Sequence, residues 1–88
     1  EGGLANPPAD VEGDIEVRFS EYPNAHLMIY KSNNPQRTYF LVTGRFPKYN
    51  VMGYIWGEKG MVDKYWKRTA RGTMAYWIPQ EALRTDHM

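Results

Sequence analysis

Charged side chains occupy every second position between residues 10 and 18. They are Asp10, Glu12, Asp14, Glu16 and Arg18. Because successive side chains of an extended strand point to opposite faces, this period of two predicts β structure with all five charges on one face. Neighbouring carboxylates repel one another unless a positive charge lies among them, so this face is suited to a divalent cation. The alternative is a solvated strand whose charges only keep a sheet edge soluble.

A hairpin within this segment would bring two of the carboxylates together. Residues 12–14 read Glu-Gly-Asp, a sequence typical of a three-residue hairpin loop. Pairing Val11 with Ile15 then places Asp10 opposite Glu16, with their Cβ atoms roughly 4.5–5.5 Å apart. Two carboxylates at that spacing can share one hard cation, and Arg18, one pleat further on, could hold a phosphate.

Length and composition indicate one small folded domain. The chain has 88 residues and is rich in aromatic side chains, which indicates a packed core rather than disorder. It has no cysteine, which excludes disulfides and thiolate metal sites and is typical of a reducing compartment. The sequence contains no apolar run of membrane-spanning length and no signal-peptide pattern, so we expect a cytoplasmic protein without a membrane partner. The first residue is Glu1 rather than methionine, which suggests a processed or partial chain.

The charges are distributed unevenly along the chain. Residues 1–21 carry six acids and one base, whereas residues 22–88 carry ten bases and four acids. An acidic patch beside a basic body is what a metal-dependent enzyme acting on a polyanion would need. The alternative is a chance distribution of charges along the chain, which would give the same counts and which folding would mix in space.

Short β segments separated by turns predict the fold. We expect strands over residues 26–30, 37–43, 51–56 and 73–78 in addition to the acidic segment, a loop over residues 44–50 and a short helix over residues 61–68. Gly53 is expected to mark a bulge or close packing, and Pro79 to open a final helical turn. The predicted class is α+β, a mixed and mostly antiparallel sheet of about five strands with one short helix packed on it. Residues 1–9, rich in Gly and Pro, are expected to be a flexible lead-in to a single domain over residues 10–88.

Two later segments carry a resemblance to a known family. Residues 39–60, YFLVTGRFPKYNVMGYIWGEKG, and residues 75–84, AYWIPQEALR, follow an acidic segment that ends in E-V-R. This arrangement resembles small phage and bacterial members of the PD-(D/E)XK superfamily, the nucleases with a restriction-endonuclease-like fold. The Pro-Asp of the family pattern falls on Ala9 and Asp10, and its (D/E)-X-K element falls on residues 16–18, with arginine in place of lysine at Arg18.

The resemblance implies an activity and a set of site residues. Asp10 and Glu16 would bind Mg²⁺ or Mn²⁺, and Arg18 would contact the non-bridging phosphate oxygens, giving a catalytic set of Asp10, Glu16 and Arg18. The implied reaction is hydrolysis of nucleic-acid phosphodiester bonds, in DNA rather than RNA, in a bacterial or phage-infected cell. The alternative is a non-catalytic module that binds nucleic acid or protein on the same scaffold. Two departures from the family pattern support it: arginine cannot easily lose a proton, and residues 1–9 cannot form the helix that precedes the acidic segment in this fold.

Basic residues in the rest of the chain are candidates for contact with nucleic acid. Cations alternate with aromatic residues around residues 45–49 and follow the predicted helix, a pattern suited to a flexible polynucleotide. The candidates are Arg45, Lys48, Lys64, Lys67 and Arg68. Phe40, Trp56 and Trp77 are assigned to the core, and His26 to a structural role at a strand start. The strand edges of so small a domain also favour a homodimer or an assembly role.

Overall fold

A computed structural model describes residues 14–86, and most of them lie in or next to short strands. The six strands are β1 (Asp14–Ser20), β2 (Leu27–Ile29), β3 (Arg37–Arg45), β4 (Lys48–Trp56), β5 (Trp66–Arg68) and β6 (Met74–Ile78). One short helix, α1, spans Gly57–Gly60, and single 3₁₀ turns span Asp63–Tyr65 and Gln80–Ala82. None of the helices between residues 14 and 86 is long and apolar enough to cross a membrane.

The first sheet is mixed and has the order β1-β3-β4. The central strand, β3, is the most apolar segment of the chain, and residues 38–43 within it are all buried. It pairs in parallel with β1, which aligns Glu16 with Tyr39, and antiparallel with β4. A buried strand flanked on both sides matches the continuous apolar run from which the strand was predicted.

The second sheet is antiparallel, has the order β2-β6-β5 and packs against the first. One core cluster joins them, with Leu27, Ile29 and Ile78 from the second sheet and Tyr39, Leu41 and Ile55 from the first. Leu83, which follows the last 3₁₀ turn, completes this cluster. The two sheets therefore share one core, whose burial is the main source of stability.

A bulge and a close backbone contact shape β4. The register of β3 and β4 shifts between Leu41 and Val42, next to Gly53. The backbone of Arg84 pairs with Tyr54, through N···O distances of 3.0 and 2.8 Å. A Cβ on Gly53, whose φ is +150°, would lie 2.7 Å from the Arg84 carbonyl oxygen. The prediction of a bulge or close packing at Gly53 is confirmed.

The coarse fold class is confirmed, but its finer description differs from the expectation. The described residues are strand-rich with one short helix, as an α+β class requires, yet they form two three-stranded sheets instead of one sheet of about five strands. The predicted strands over residues 26–30, 37–43, 51–56 and 73–78 correspond to β2, β3, β4 and β6. Gln80–Ala82 also forms the helical turn expected after Pro79.

Two local predictions are wrong. Residues 61–68 do not form a helix: a 3₁₀ turn is followed there by β5, because Trp66 pairs with Tyr76 of β6 at a ring-centroid distance of 4.6 Å. Residues 44–50 are not a long loop, because β3 and β4 continue almost to the turn at Phe46 and Pro47. Phe40 is buried as predicted, whereas Trp56 and Trp77 are only half-buried. The predicted lead-in over residues 1–9 and the predicted pairing of Val11 with Ile15 fall outside the described residues.

Candidate functional site

Three charged side chains lie on one face of β1. Asp14, Glu16 and Arg18 alternate along the strand, as their period of two predicted. Parallel pairing places Arg37 beside Asp14 and Tyr39 beside Glu16, on the same face of the sheet. This face continues into the core, so the charges lie at the margin of the apolar cluster instead of on a fully solvated surface. We call these five residues, together with Asn33, the Glu16 cluster.

Glu16 lies between two guanidinium groups. Its Oε1 accepts a hydrogen bond of 2.7 Å from Nη1 of Arg37, and its Oε2 lies 3.7 Å from Nη1 of Arg18. The Glu16 side chain is one-third exposed, which strengthens these contacts relative to a fully solvated pair. Asp14 approaches the same Arg37 only at 4.0 Å and is 83% exposed, so its contribution is small.

Arg18 is held in place from several directions. Its Nη2 donates a hydrogen bond of 3.0 Å to Oδ1 of Asn33, an oxygen that also accepts one of 2.7 Å from the backbone N–H of Tyr30. The guanidinium carbon lies 5.3 Å from the ring centroid of Tyr39, within cation–π range. The Nε atoms of Arg18 and Arg37 are buried and have no hydrogen-bond partner among residues 14–86. A buried donor without a hydrogen bond lowers stability, so both guanidiniums are held here at an energetic cost.

Tyr39 forms the floor of the cluster. Its hydroxyl donates a hydrogen bond of 2.7 Å to the carbonyl oxygen of Asn34. Burial, with help from the negative charge of Glu16, raises the pKa of the Tyr39 phenol above its ordinary value, although Arg18 and Arg37 oppose the shift. The phenol is therefore a neutral donor at physiological pH, and it fixes the turn that carries Asn33.

The described part of the cluster supplies carboxylate oxygens but does not form a complete metal site. No group of three or more His, Cys, Asp or Glu side chains within residues 14–86 could hold a metal ion. Both carboxylates in the cluster face Arg37, and a cation on Oε1 of Glu16 would have to displace that guanidinium. Asp10 and Glu12 fall outside the described residues, as does the predicted opposition of Asp10 and Glu16.

The five residues predicted to contact nucleic acid lie in three different places, namely the β3–β4 turn, a 3₁₀ turn and β5. Arg45 and Lys48 are exposed and paired in register at the β3–β4 turn, where Arg45 lies 3.4 Å from Glu21. Lys64 lies in a 3₁₀ turn, and its Nζ is 5.2 Å from the ring centroid of Tyr65. Lys67 and Arg68 are exposed on β5 and not on a helix, and Arg68 donates to the carbonyl of Gly72.

Sequence reasoning did not find Arg37 or Asn33. Arg37 begins the predicted central strand. Its position next to Glu16 could be predicted only from the parallel direction and the register of β1 and β3. Asn33 lies in the Lys-Ser-Asn-Asn-Pro segment, whose residues are typical of a turn. That composition indicated a reversal but not which strand residue the turn would contact.

No protein-family model, no curated protein and no solved structure gives a significant match to this chain.

Proposed function

We propose that this protein is a Mg²⁺-dependent nuclease of the PD-(D/E)XK type, which hydrolyses DNA phosphodiester bonds in the cytoplasm of a bacterial or phage-infected cell. The observation that supports it is the juxtaposition of Glu16 and Arg18 on one face of β1, with Oε2 of Glu16 3.7 Å from Nη1 of Arg18. These are the residues that match the (D/E)-X-K element of the family pattern. Arg37 adds a second guanidinium beside them.

The side chains of the cluster suit contact with a phosphodiester. A guanidinium donates paired hydrogen bonds to phosphate oxygens, and the hydrogen bond from Arg18 to Asn33 fixes its orientation before a ligand arrives. The negative charge of Glu16 offsets part of the positive charge of the two arginines while the protein is free of ligand. Arg18 and Arg37 would then stabilise the charge that develops on the phosphate.

Mg²⁺ fits this cluster only in part. Glu16 offers the hard oxygen donor that Mg²⁺ prefers, but one of its oxygens is already hydrogen-bonded to Arg37. Asp10 is the proposed second ligand. A bound Mg²⁺ would supply a Lewis acid that polarises the phosphate and lowers the pKa of a bound water.

A cleavage assay with matched variants tests the proposal. The purified full chain is incubated with supercoiled plasmid in the presence of Mg²⁺, and nicked and linear products are quantified. We expect cleavage by the wild-type protein and its loss in Glu16→Gln and Asp10→Asn. Arg18→Lys, which introduces the lysine of the family pattern, should retain cleavage, whereas Arg18→Met should lose it.

Lys59→Gln is the control, because Lys59 is exposed on α1 and lies outside the Glu16 cluster. This variant should cleave like the wild type. Cleavage that persists in EDTA, or that is unchanged in Glu16→Gln, would refute the proposed site.

A second candidate is a module that binds nucleic acid without cleaving it. It is favoured by one observation, the 2.7 Å hydrogen bond with which Arg37 already occupies an oxygen of Glu16. In this case the two arginines hold phosphates and Glu16 only orients them. For this second candidate we expect DNA binding that weakens as the salt concentration rises, that needs no Mg²⁺ and that is unchanged in Asp10→Asn. Metal-dependent cleavage would exclude it.

A further inference from the structure

The outer side of the second sheet carries a groove that the Glu16 cluster does not explain. Leu27, Ile29 and Ile78 face the core, so the alternation of β2 and β6 turns Met28 and its cross-strand partner Trp77 to the other side. Two cavities of about 460 Å³ each share Met28, Tyr30 and Trp77 in their walls, and one of them also reaches Arg18 and Leu41 of the first sheet. Each has the volume of a small-ligand site, and the shared walls make one elongated groove.

Flat side chains form the floor and rim of this groove. Tyr30 is 41% exposed at the end of β2, and Tyr22 on the rim is 70% exposed. The ring of His26 lies 5.6 Å from that of Trp77. Rings left partly open to solvent in a concave surface can each accept a planar group by stacking.

Arginine is present in both parts of the groove. Arg18 lines one cavity and Arg71 lines the other, and neither lining includes an aspartate or a glutamate. Arg18 belongs also to the Glu16 cluster, so the groove begins at the proposed phosphodiester site. Arg71 is exposed in the turn between β5 and β6. Aromatic surface between two guanidiniums is complementary to a single nucleic-acid strand, in which bases can stack on the rings and phosphates can bind the arginines.

The cavity at the β3–β4 turn is a weaker candidate for the same ligand. Its walls also contain aromatic residues, namely Phe19, Phe46 and Tyr49. However, Glu21 lines it as well, and the Glu21 carboxylate lies 3.4 Å from Nη2 of Arg45. Arg18 also lies near an acid, at 3.7 Å from Glu16, but that acid does not line the groove. A polyanion would meet a carboxylate directly in the wall of the β3–β4 cavity, so it is attracted there less strongly.

We propose that the groove binds single-stranded nucleic acid, with bases stacked on Tyr30 and Trp77 and phosphates held by Arg18 and Arg71. This inference rests on the proposed function, because it assigns the substrate of the Glu16 cluster to the single-stranded class. An unpaired strand exposes its base faces, whereas a duplex hides them in the stack. The groove would lead a flexible strand towards Arg18.

Oligonucleotide binding in EDTA tests the groove separately from cleavage. The full chain is titrated into a labelled single strand of about 12 nucleotides, which is long enough for one binding domain, and into the matching duplex. We expect tighter binding of the single strand. Tyr30→Ala should weaken it about tenfold, the loss typical of one stacked base. Arg71→Gln should weaken it also and should reduce the slope of log affinity against log salt by about one.

Lys59→Gln removes the same charge as Arg71→Gln but lies away from the groove, and it should leave the affinity nearly unchanged. The groove assignment is overturned by equal or tighter binding of the duplex, or by unchanged affinity in both Tyr30→Ala and Arg71→Gln. Single-strand binding without Mg²⁺-dependent cleavage would support the groove while refuting the nuclease. Mg²⁺-dependent cleavage together with unchanged oligonucleotide affinity in the groove variants would support the nuclease and refute the groove.

Discussion

Glu16 is the side chain on which the charge balance of β1 depends. It accepts from Arg37 at 2.7 Å and lies 3.7 Å from Arg18, and no other carboxylate of residues 14–86 is as close to either guanidinium. Removing its charge leaves two partly buried cations beside each other. We therefore expect Glu16→Gln to lower the free energy of unfolding by about 0.5–1 kcal/mol, measured by urea denaturation.

Asp14→Asn is the matched control, since it removes one carboxylate from the same face of β1. Because Asp14 is 83% exposed and lies 4.0 Å from Arg37, its loss should cost less than about 0.3 kcal/mol. Equal effects of the two substitutions would show that Glu16 has no special role in stabilising the arginines.

We expect Tyr39 to make the stability of the protein sensitive to alkaline pH. Burial and Glu16 raise its pKa above the ordinary value of 10.0, so the folded state holds the phenolic proton more tightly than the unfolded state. Its contribution to stability is fully present below that ordinary value and is lost as pH rises through the folded pKa. Thermal unfolding midpoints measured from pH 8 upward should therefore fall more steeply in the wild type than in Tyr39→Phe.

The control for this pH series is Tyr65→Phe, which changes a half-buried tyrosine packed against the core. Its alkaline decline should resemble that of the wild type. A Tyr39→Phe curve parallel to the wild-type curve would mean that other groups cause the alkaline loss.

The sequence determined part of this residue-scale arrangement. The alternation of charges correctly placed Asp14, Glu16 and Arg18 on one face, because the two-residue period is a property of an extended strand itself. The contact of Glu16 with Arg37 crosses 21 positions of the chain and depends on parallel alignment. Local spacing contains no information about that alignment, so the second arginine could not be predicted.

At the scale of elements, the contact between β4 and the segment after β6 leaves no room for a side chain at Gly53. Gly53 has a φ of +150°, and an added Cβ would lie 2.7 Å from both the Arg84 oxygen and the Leu83 Cβ. Gly53→Ala should strain the backbone at this φ and should also push Leu83 and Arg84 away from β4. We expect a loss of about 3 kcal/mol, measured by chemical denaturation.

Gly72→Ala isolates the backbone part of that cost. Gly72 also has a positive φ, of +89°, but a Cβ there would meet nothing within 4 Å. Its substitution should cost about 1 kcal/mol. If Gly53→Ala cost no more than Gly72→Ala, the close approach of Arg84 to β4 would be unimportant for stability.

Residues 61–68 show where prediction of elements from local pattern fails. Met61 and Tyr65 have the spacing of one helical face, and both do pack against the core. The chain reaches that packing through a 3₁₀ turn and a three-residue strand instead of a helix. The pairing of Trp66 with Tyr76 stabilises the chain more than a short helix would, since isolated helices of this length are only marginally stable in water.

At the scale of the whole molecule, one apolar cluster serves both sheets. Leu41 is 1% exposed within it, and its neighbours in the cluster come from β2, β4 and β6. We expect Leu41→Ala to cost about 3 kcal/mol and to lower the melting temperature by roughly 10–20 °C. Because the core is shared, far-UV circular dichroism and tryptophan fluorescence should report coincident transitions.

Val51→Ala, also in the first sheet but 40% exposed, should cost less than about 1 kcal/mol. Separate transitions for the two probes in Leu41→Ala would show that the sheets unfold independently. In that case the cluster would not be a single cooperative core.

The pairing of Arg84 with Tyr54 also affects how the protein folds during translation. Leu83 and Arg84 lie near the end of the described residues, yet they cover Gly53 and close part of the β4 edge. A nascent chain can align β1, β3 and β4 early, but it cannot close that edge while residues 83 and 84 are still inside the ribosome. This edge of β4 is therefore completed only after residues 83 and 84 have left the ribosome, and until then a chaperone or a neighbouring nascent chain has access to the open strand.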